Sequence, residues 1–236
     1  MRFLKKEFLR GIKDGIPIFL GYLSVSFGFG ILAVGLGLSV MESVGISLTN
    51  LTSAGQVAGV GIIAAGGSLI EMALTQLVIN IRYSLMGISL SQKLDRNFTV
   101  AHRLIASFGI TDEIFAVAVA QKEVSPYYMY GLISVSTVGW VSGTFLGAAA
   151  GNILPAELSS AMGIVLYGMF LAIFIPAARE SKGVFASVLI ASGLSMIFKF
   201  VLTEVSGGFA VIICAVVSAA VCAVLFPKKD EEEAEE

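Results

Sequence analysis

Charge is what this chain has least of. Only 14% of its 236 residues are Asp, Glu, Lys or Arg, where a soluble domain carries roughly 25%. Hydrophobic residues make up 56%, and the mean hydropathy is +0.90. That surplus cannot be hidden in a water-soluble globule of this size, so the composition reads as an all-α polytopic membrane protein. The length leaves no room for a second membrane domain or a soluble one. Histidine occurs once, at His102, which excludes a multi-histidine metal site, and no cysteine cluster replaces it. The two cysteines, Cys214 and Cys222, share a helix face but stand about 12 Å apart along its axis. They are too far apart to bridge and read as core residues. No Walker-type phosphate loop is present, which argues against ATP hydrolysis by this chain. No metal or cofactor is expected. The net charge of −2 sits mostly at the chain ends and points to no nucleic-acid partner.

What the chain has in abundance is apolar stretches of spanning length. A bilayer span needs about 20 mainly apolar residues. Eight stretches qualify: 16–38, 43–66, 69–90, 104–121, 127–150, 158–178, 184–202 and 208–226. They define one transmembrane domain over 16–226, between a basic N-terminus (1–15) and an acidic tail (227–236) expected to be disordered. Met1–Asp14 is basic but runs into an apolar stretch without a small-residue cleavage site, so no signal peptide is expected.

Lys and Arg near span ends mark the cytoplasmic side. The N-terminus carries Arg2, Lys5, Lys6, Arg10 and Lys13, the turn Arg179–Gly183 adds Arg179 and Lys182, and the C-terminus adds Lys228 and Lys229. The turns Gly151–Glu157 and Glu204–Gly208 carry only acids. Spans in strict alternation with both termini inside satisfy these. They fail at Ser91–Arg103, whose Lys93, Arg96 and Arg103 alternation places outside. Either the charge rule breaks there or a neighbouring segment is re-entrant. Gly55–Gly67 and Gly109-Ile110-Thr111 are the stretches able to break a helix.

Gly139, Gly143, Gly147 and Gly151 recur every fourth residue, so they line one helix face. A face without Cβ atoms lets another helix approach closely; the spacing does not say whether that helix belongs to this chain or to another subunit. Gly21-Tyr22-Leu23-Ser24-Val25-Ser26-Phe27 aligns with Gly139-Trp140-Val141-Ser142-Gly143-Thr144-Phe145, a weak internal repeat of the kind transporters are built from.

The chemistry-bearing residues lie in the middle of apolar segments. A charge in hydrocarbon costs roughly 2.5–3.5 kcal/mol even on insertion scales, so such residues face the bundle interior, pair, or line a solute path. Arg82 lies in 69–90 and Asp112 in 104–121 with Glu113 beside it. On a continuous helix Glu71, Thr75 and Arg82 fall on one side, and Gln76, Asn80 and Tyr83 form a neighbouring polar face. Two polar faces cannot both meet lipid. Asp112 and Glu113 point about 100° apart on a helix, so one can face a cavity while the other meets a neighbouring helix. Arg82 and Asp112 at one depth form either a structural ion pair or a site for a solute carrying both charges. Thr52-Ser53-Ala54-Gly55-Gln56 suits an unwound helix whose backbone meets a solute, or plain small-residue packing with Gln56 bonded across helices. Lys199 and Glu204, near a segment end, are explained by snorkelling to the interface.

Ala54-Gly55-Gln56, Asn80-Ile81-Arg82-Tyr83 and Thr111-Asp112-Glu113, in this order and spacing, resemble the AzlC/YgaZ family of branched-chain amino acid exporters. The resemblance runs from about Gly11 to Phe226. It implies a large subunit exporting leucine, isoleucine, valine and in some members methionine or analogues across a prokaryotic cell membrane. It also implies use of the proton gradient and a small hydrophobic partner of the AzlD/YgaH type. The motif positions it carries over are Gln56, Asn80, Arg82, Asp112 and Glu113. Read chemically, Arg82, Asn80, Gln56 and Tyr83 are candidates for substrate binding, Asp112 and then Glu113 for proton coupling, and Gly139, Gly143, Gly147 and Gly151 for helix packing. The rival readings are a passive solute channel, a non-transporting scaffold subunit and an intramembrane enzyme. The last lacks any nucleophile–base pair or metal set.

Overall fold

The structure, a computed structural model, describes residues 2–151, 153, 168, 171 and 174–227. Most of the expected span 158–178 and nearly all of the acidic tail lie outside the described residues. Everything with regular structure among the described residues is helical: α1 (Arg2–Gly35), α2 (Val40–Thr49), α3 (Ala54–Ala64), α4 (Leu69–Asn80), α5 (Arg82–Ser91), α6 (Val100–Ser107), α7 (Asp112–Val119), α8 (Pro126–Gly151), α9 (Lys182–Phe200) and α10 (Gly207–Leu225). Of these, α1, α8, α9 and α10 are each long and apolar enough to cross a membrane. Large apolar side chains such as Leu69, Leu85 and Val100 point outward, as a lipid-facing surface requires.

Two long helices form the spine. Helices α1 and α8 run parallel, because their contacts climb together: Gly139 packs on Phe19, Gly143 on Leu23 and Gly147 on Phe27. The approach is so close that a Cβ at Gly147 would overlap the Phe27 carbonyl. The glycine face is therefore filled by this chain's own first helix. That answers the open question of its neighbour and removes the face as a seat for a partner subunit. The two copies of the weak repeat lie side by side in this spine.

Segments 43–66 and 104–121, expected as spans, do not cross. Each breaks into two short helices that fold back. In the first, Ser47 of α2 bonds Thr144 of α8 (2.7 Å), and the chain then turns through Asn50–Ser53. Helix α3 returns to where α1 ends, with Val60 packed against Phe29, Ala33 and Leu38. The physical reason lies in the turn: the Asn50 side chain accepts from the Thr52 amide (3.0 Å), competing with continued helix.

In the second, α6 and α7 are eight residues each, about 12 Å, well short of the roughly 30 Å hydrocarbon core. Thr111 starts α7 as an N-cap, its hydroxyl accepting from the Ile114 amide (3.4 Å). Both ends of this hairpin sit at the N-terminal end of the spine. The Asp95 amide bonds the Val124 carbonyl (3.0 Å), Lys93 Nζ donates to the Val119 carbonyl (2.5 Å), and the Ser125 hydroxyl donates to Glu7 (3.4 Å). The basic loop Ser91–Arg103 thus joins the basic N-terminus on one side of the molecule. Strict alternation fails there because the preceding segment 43–66 is re-entrant, which reverses the direction of the crossing through 69–90.

Between the hairpins, α4 and α5 form one crossing. Ile81, the residue between them, keeps helical angles (φ −56°, ψ −29°), so α5 continues the path of α4. Helix α10 docks on the start of α4, where the buried Glu71 carboxylate accepts from the Ser206 hydroxyl (2.5 Å) and the Gly208 amide (2.9 Å). Negative charge is favoured at that helix N-terminus.

Candidate functional site: a cavity between two re-entrant tips

The tips of the two hairpins meet against the spine and enclose a cavity of about 400 Å³, within the range that holds small ligands. Each wall comes from a different element. Tyr22 is on α1, Trp140 on α8, Leu51 and Ser53 on the first tip, Tyr83 on α5, and Thr111, Asp112 and Glu113 on the second tip. Apolar cover comes from Pro17, Ile18 and Val25. Ser53 holds a positive φ of 27°, the only non-glycine residue to do so among those described. Backbone strain of that kind clusters at functional sites.

The adjacent carboxylates divide as their helical divergence requires. Asp112 forms an ion pair with Arg82 (2.7 Å). The guanidinium also lies over the Tyr83 ring, 4.9 Å from its centroid, and donates to the Tyr83 hydroxyl (3.3 Å). The Arg82 and Asp112 side chains are 42% and 40% exposed, so the pair is not sealed within the protein. Arg82 itself stands behind the wall, holding Asp112 and Tyr83, which line it. Glu113 turns the other way. It accepts from the Tyr22 hydroxyl (2.7 Å), and that phenol also meets the Thr111 hydroxyl (2.5 Å).

Gln56 and Asn80 are placed differently. Gln56 is 1% exposed and outside the cavity lining. Its amide nitrogen donates to Ser47 (2.9 Å) and its oxygen accepts from Trp140 Nε1 (2.8 Å). It locks the first hairpin to α8. Asn80 donates to Gln76 (3.0 Å), and Gln76 donates to the Gly55 carbonyl (2.8 Å), so this pair braces the same tip from α4. Of the expected substrate-binding residues, Tyr83 reaches the cavity, Arg82 borders it, and Gln56 and Asn80 support it. Asp112 and Glu113 both line it. Among the described residues no three His, Cys, Asp or Glu side chains come together as a metal site would need.

Sequence reasoning passed over Tyr22 and Trp140 as site residues. A signal for them was present: they occupy the same position of the weak repeat. Because the two repeat copies lie parallel and side by side, the rings meet edge-on at 5.1 Å and form the floor of the cavity.

No solved structure shows a significant match to this chain. The family model described as AzlC protein matches residues 17–154, which span both hairpins, most of the spine and every cavity residue. Among curated relatives, the inner membrane protein YgaZ of Escherichia coli K12 is 31% identical over 82% of each chain. An uncharacterized membrane protein of Archaeoglobus fulgidus is 34% identical over 72% of this chain and 75% of its own. The branched-chain amino acid transport protein AzlC of Bacillus subtilis is 25% identical over 77% of this chain and 71% of its own. With a family model over more than half of its length and a relative 31% identical over most of both chains, the chain is a member of the AzlC family of membrane proteins.

Proposed function

We propose that this protein is the large subunit of a secondary active exporter of branched-chain amino acids, driven by protons, in a prokaryotic cytoplasmic membrane. The observation that carries this reading is the cavity itself, closed by re-entrant tips from opposite ends and offering paired opposite charge beside apolar walls. A zwitterionic amino acid needs a cation for its carboxylate and an acceptor for its ammonium. Arg82 supplies the first when the substrate displaces Asp112, and the released Asp112 supplies the second. Ile18, Val25 and Leu51 take the branched side chain. They discriminate weakly among Leu, Ile and Val, since one methylene is worth about 1–3 kcal/mol. The printed name of the Bacillus subtilis relative supports the substrate class. The basic N-terminus and the basic Ser91–Arg103 loop, together at one end, support cytoplasmic termini. The small hydrophobic partner of the AzlD/YgaH type belongs to this reading through the family resemblance.

Counterflow of labelled leucine in proteoliposomes, with and without that partner, tests the reading. Exchange is expected to saturate, to respond to an imposed proton gradient, and to fall about 10–100-fold in Arg82→Ala, as loss of hydrogen bonds to a charged group implies. Wild-type exchange in a folded Arg82→Ala protein would overturn the site. Flux that neither saturates nor responds to the gradient would make the protein a channel.

A further inference from the structure

The neighbouring carboxylates of the second tip are not equivalent, and the difference concerns which of them can change protonation state without dismantling its surroundings. Asp112 is held by a guanidinium at 2.7 Å. An arginine has donors only and stays charged, so a proton on Asp112 would cost it that ion pair. Glu113 is held by hydroxyls. Its partner is Tyr22 (2.7 Å), and Tyr22 is in turn within 2.5 Å of the Thr111 hydroxyl. A phenol has one proton and cannot donate to both neighbours at once. With Glu113 ionised, Thr111 donates to Tyr22 and Tyr22 donates to Glu113. With Glu113 protonated, the carboxylic acid donates to Tyr22 and the phenol turns to donate to Thr111. One proton is added, each hydroxyl rotates, and no hydrogen bond of the chain is lost.

Building on the transport reading above, we infer that Glu113 is the proton-carrying group of the cavity, that Tyr22 and Thr111 are positioning residues forming a reversible hydrogen-bond chain to it, and that Asp112 stays ionised as the counter-ion of Arg82. This reverses the order in which the sequence ranks the two carboxylates. The titratable groups facing Glu113 are Tyr22 from α1, Tyr83 from α5 and Asp112 beside it on α7, and the nearest cation, Arg82 of α5, is paired with Asp112. The only polar side chains that the first tip and α8 present to the cavity are Ser53 and Trp140. The chain spans the joint between the second hairpin and the spine, so the state of the proton sets how the tip is tied to α1.

Trp140 is the only tryptophan of the chain and its ring meets that of Tyr22 at 5.1 Å. Its fluorescence therefore reads the chain directly, without substrate. The full-length protein in liposomes, titrated from acid to alkaline pH, is expected to show a one-proton transition. Glu113→Gln, which keeps an acceptor for Tyr22, should abolish it, and Asp112→Asn should retain it. Should Glu113→Gln fail to fold, Tyr22→Phe decides the matter. It deletes one hydroxyl and should move the midpoint by about one pH unit, the margin by which a hydrogen bond to the charged carboxylate exceeds one to the neutral acid. A transition that survives Glu113→Gln, or is lost in Asp112→Asn alone, or is unmoved by Tyr22→Phe overturns the inference, as does its absence from the wild type. Because no substrate is present, an intact transition without leucine counterflow defeats the transport reading. Intact counterflow without the transition defeats only this one.

Discussion

At the scale of single residues, the cost of burial decides roles. Gln56 is buried and hydrogen-bonded at both amide atoms, so its value lies in holding the first hairpin against α8. Trp140→Phe keeps the ring that floors the cavity but removes the donor to the Gln56 oxygen. An unpaired buried acceptor costs about 1–3 kcal/mol, and the variant should melt earlier in detergent by a corresponding amount, while a Ser47→Ala change should strip the other side of the same amide. Equal stability of Trp140→Phe and wild type would show that the Gln56 amide is not part of the lock. Arg82→Lys is the sharper test of the charged wall. It keeps the charge but loses the planar fork that grips Asp112 and stacks on Tyr83. Leucine affinity should fall by about tenfold or more, read as the half-saturating concentration in counterflow. Unchanged affinity would reduce Arg82 to a generic positive charge.

At the scale of elements, the protein is a tightly packed spine with two re-entrant hairpins set against it. Gly147→Leu should be among the most damaging substitutions, because the Phe27 backbone fills the space a side chain would take. Overpacking of this kind costs about 1–3 kcal/mol and occasionally more. The variant is expected to lose the monodisperse peak on size exclusion, whereas a leucine at Gly87, which faces open space, should not. The spine was legible in the sequence through the four-residue glycine period, and its membership was not, because the period says only that something comes close. The hairpins were half legible. Gly109-Ile110-Thr111 marked a break and the basic loop refused its place under strict alternation. Hydropathy could not complete the reading, since an apolar helix that turns back at mid-depth has the same composition as one that crosses. The polar faces assigned to 69–90 survived the small break at Ile81 because that residue keeps helical angles. Gln56 and Asn80 were legible as polar residues in a hydrophobic segment. Whether they face a solute or a neighbouring amide depends on partners far away in the sequence, which no local pattern contains.

At the scale of the whole molecule, the fold makes a topological claim that single-cysteine labelling checks. With Cys214 and Cys222 replaced, Asn97→Cys and Lys5→Cys should be modified from the same side of sealed vesicles, and Ser68→Cys from the opposite side. Asn97→Cys and Ser68→Cys reacting on one side would contradict the α4–α5 crossing, and Asn97→Cys and Lys5→Cys reacting on opposite sides would contradict the re-entrant first hairpin. The central claim is that the two tips together form the place where a branched-chain amino acid binds. Ser53 lies at one tip and in the cavity wall, and Ser53→Cys changes a single atom. The rate at which a small thiol reagent modifies Ser53→Cys in the cysteine-free background, measured with and without leucine, tests the claim most directly. Leucine is expected to slow the reaction several-fold and an equal concentration of glutamate to leave it unchanged. A rate indifferent to leucine, in protein that still catalyses leucine counterflow, would place the substrate elsewhere and contradict the account.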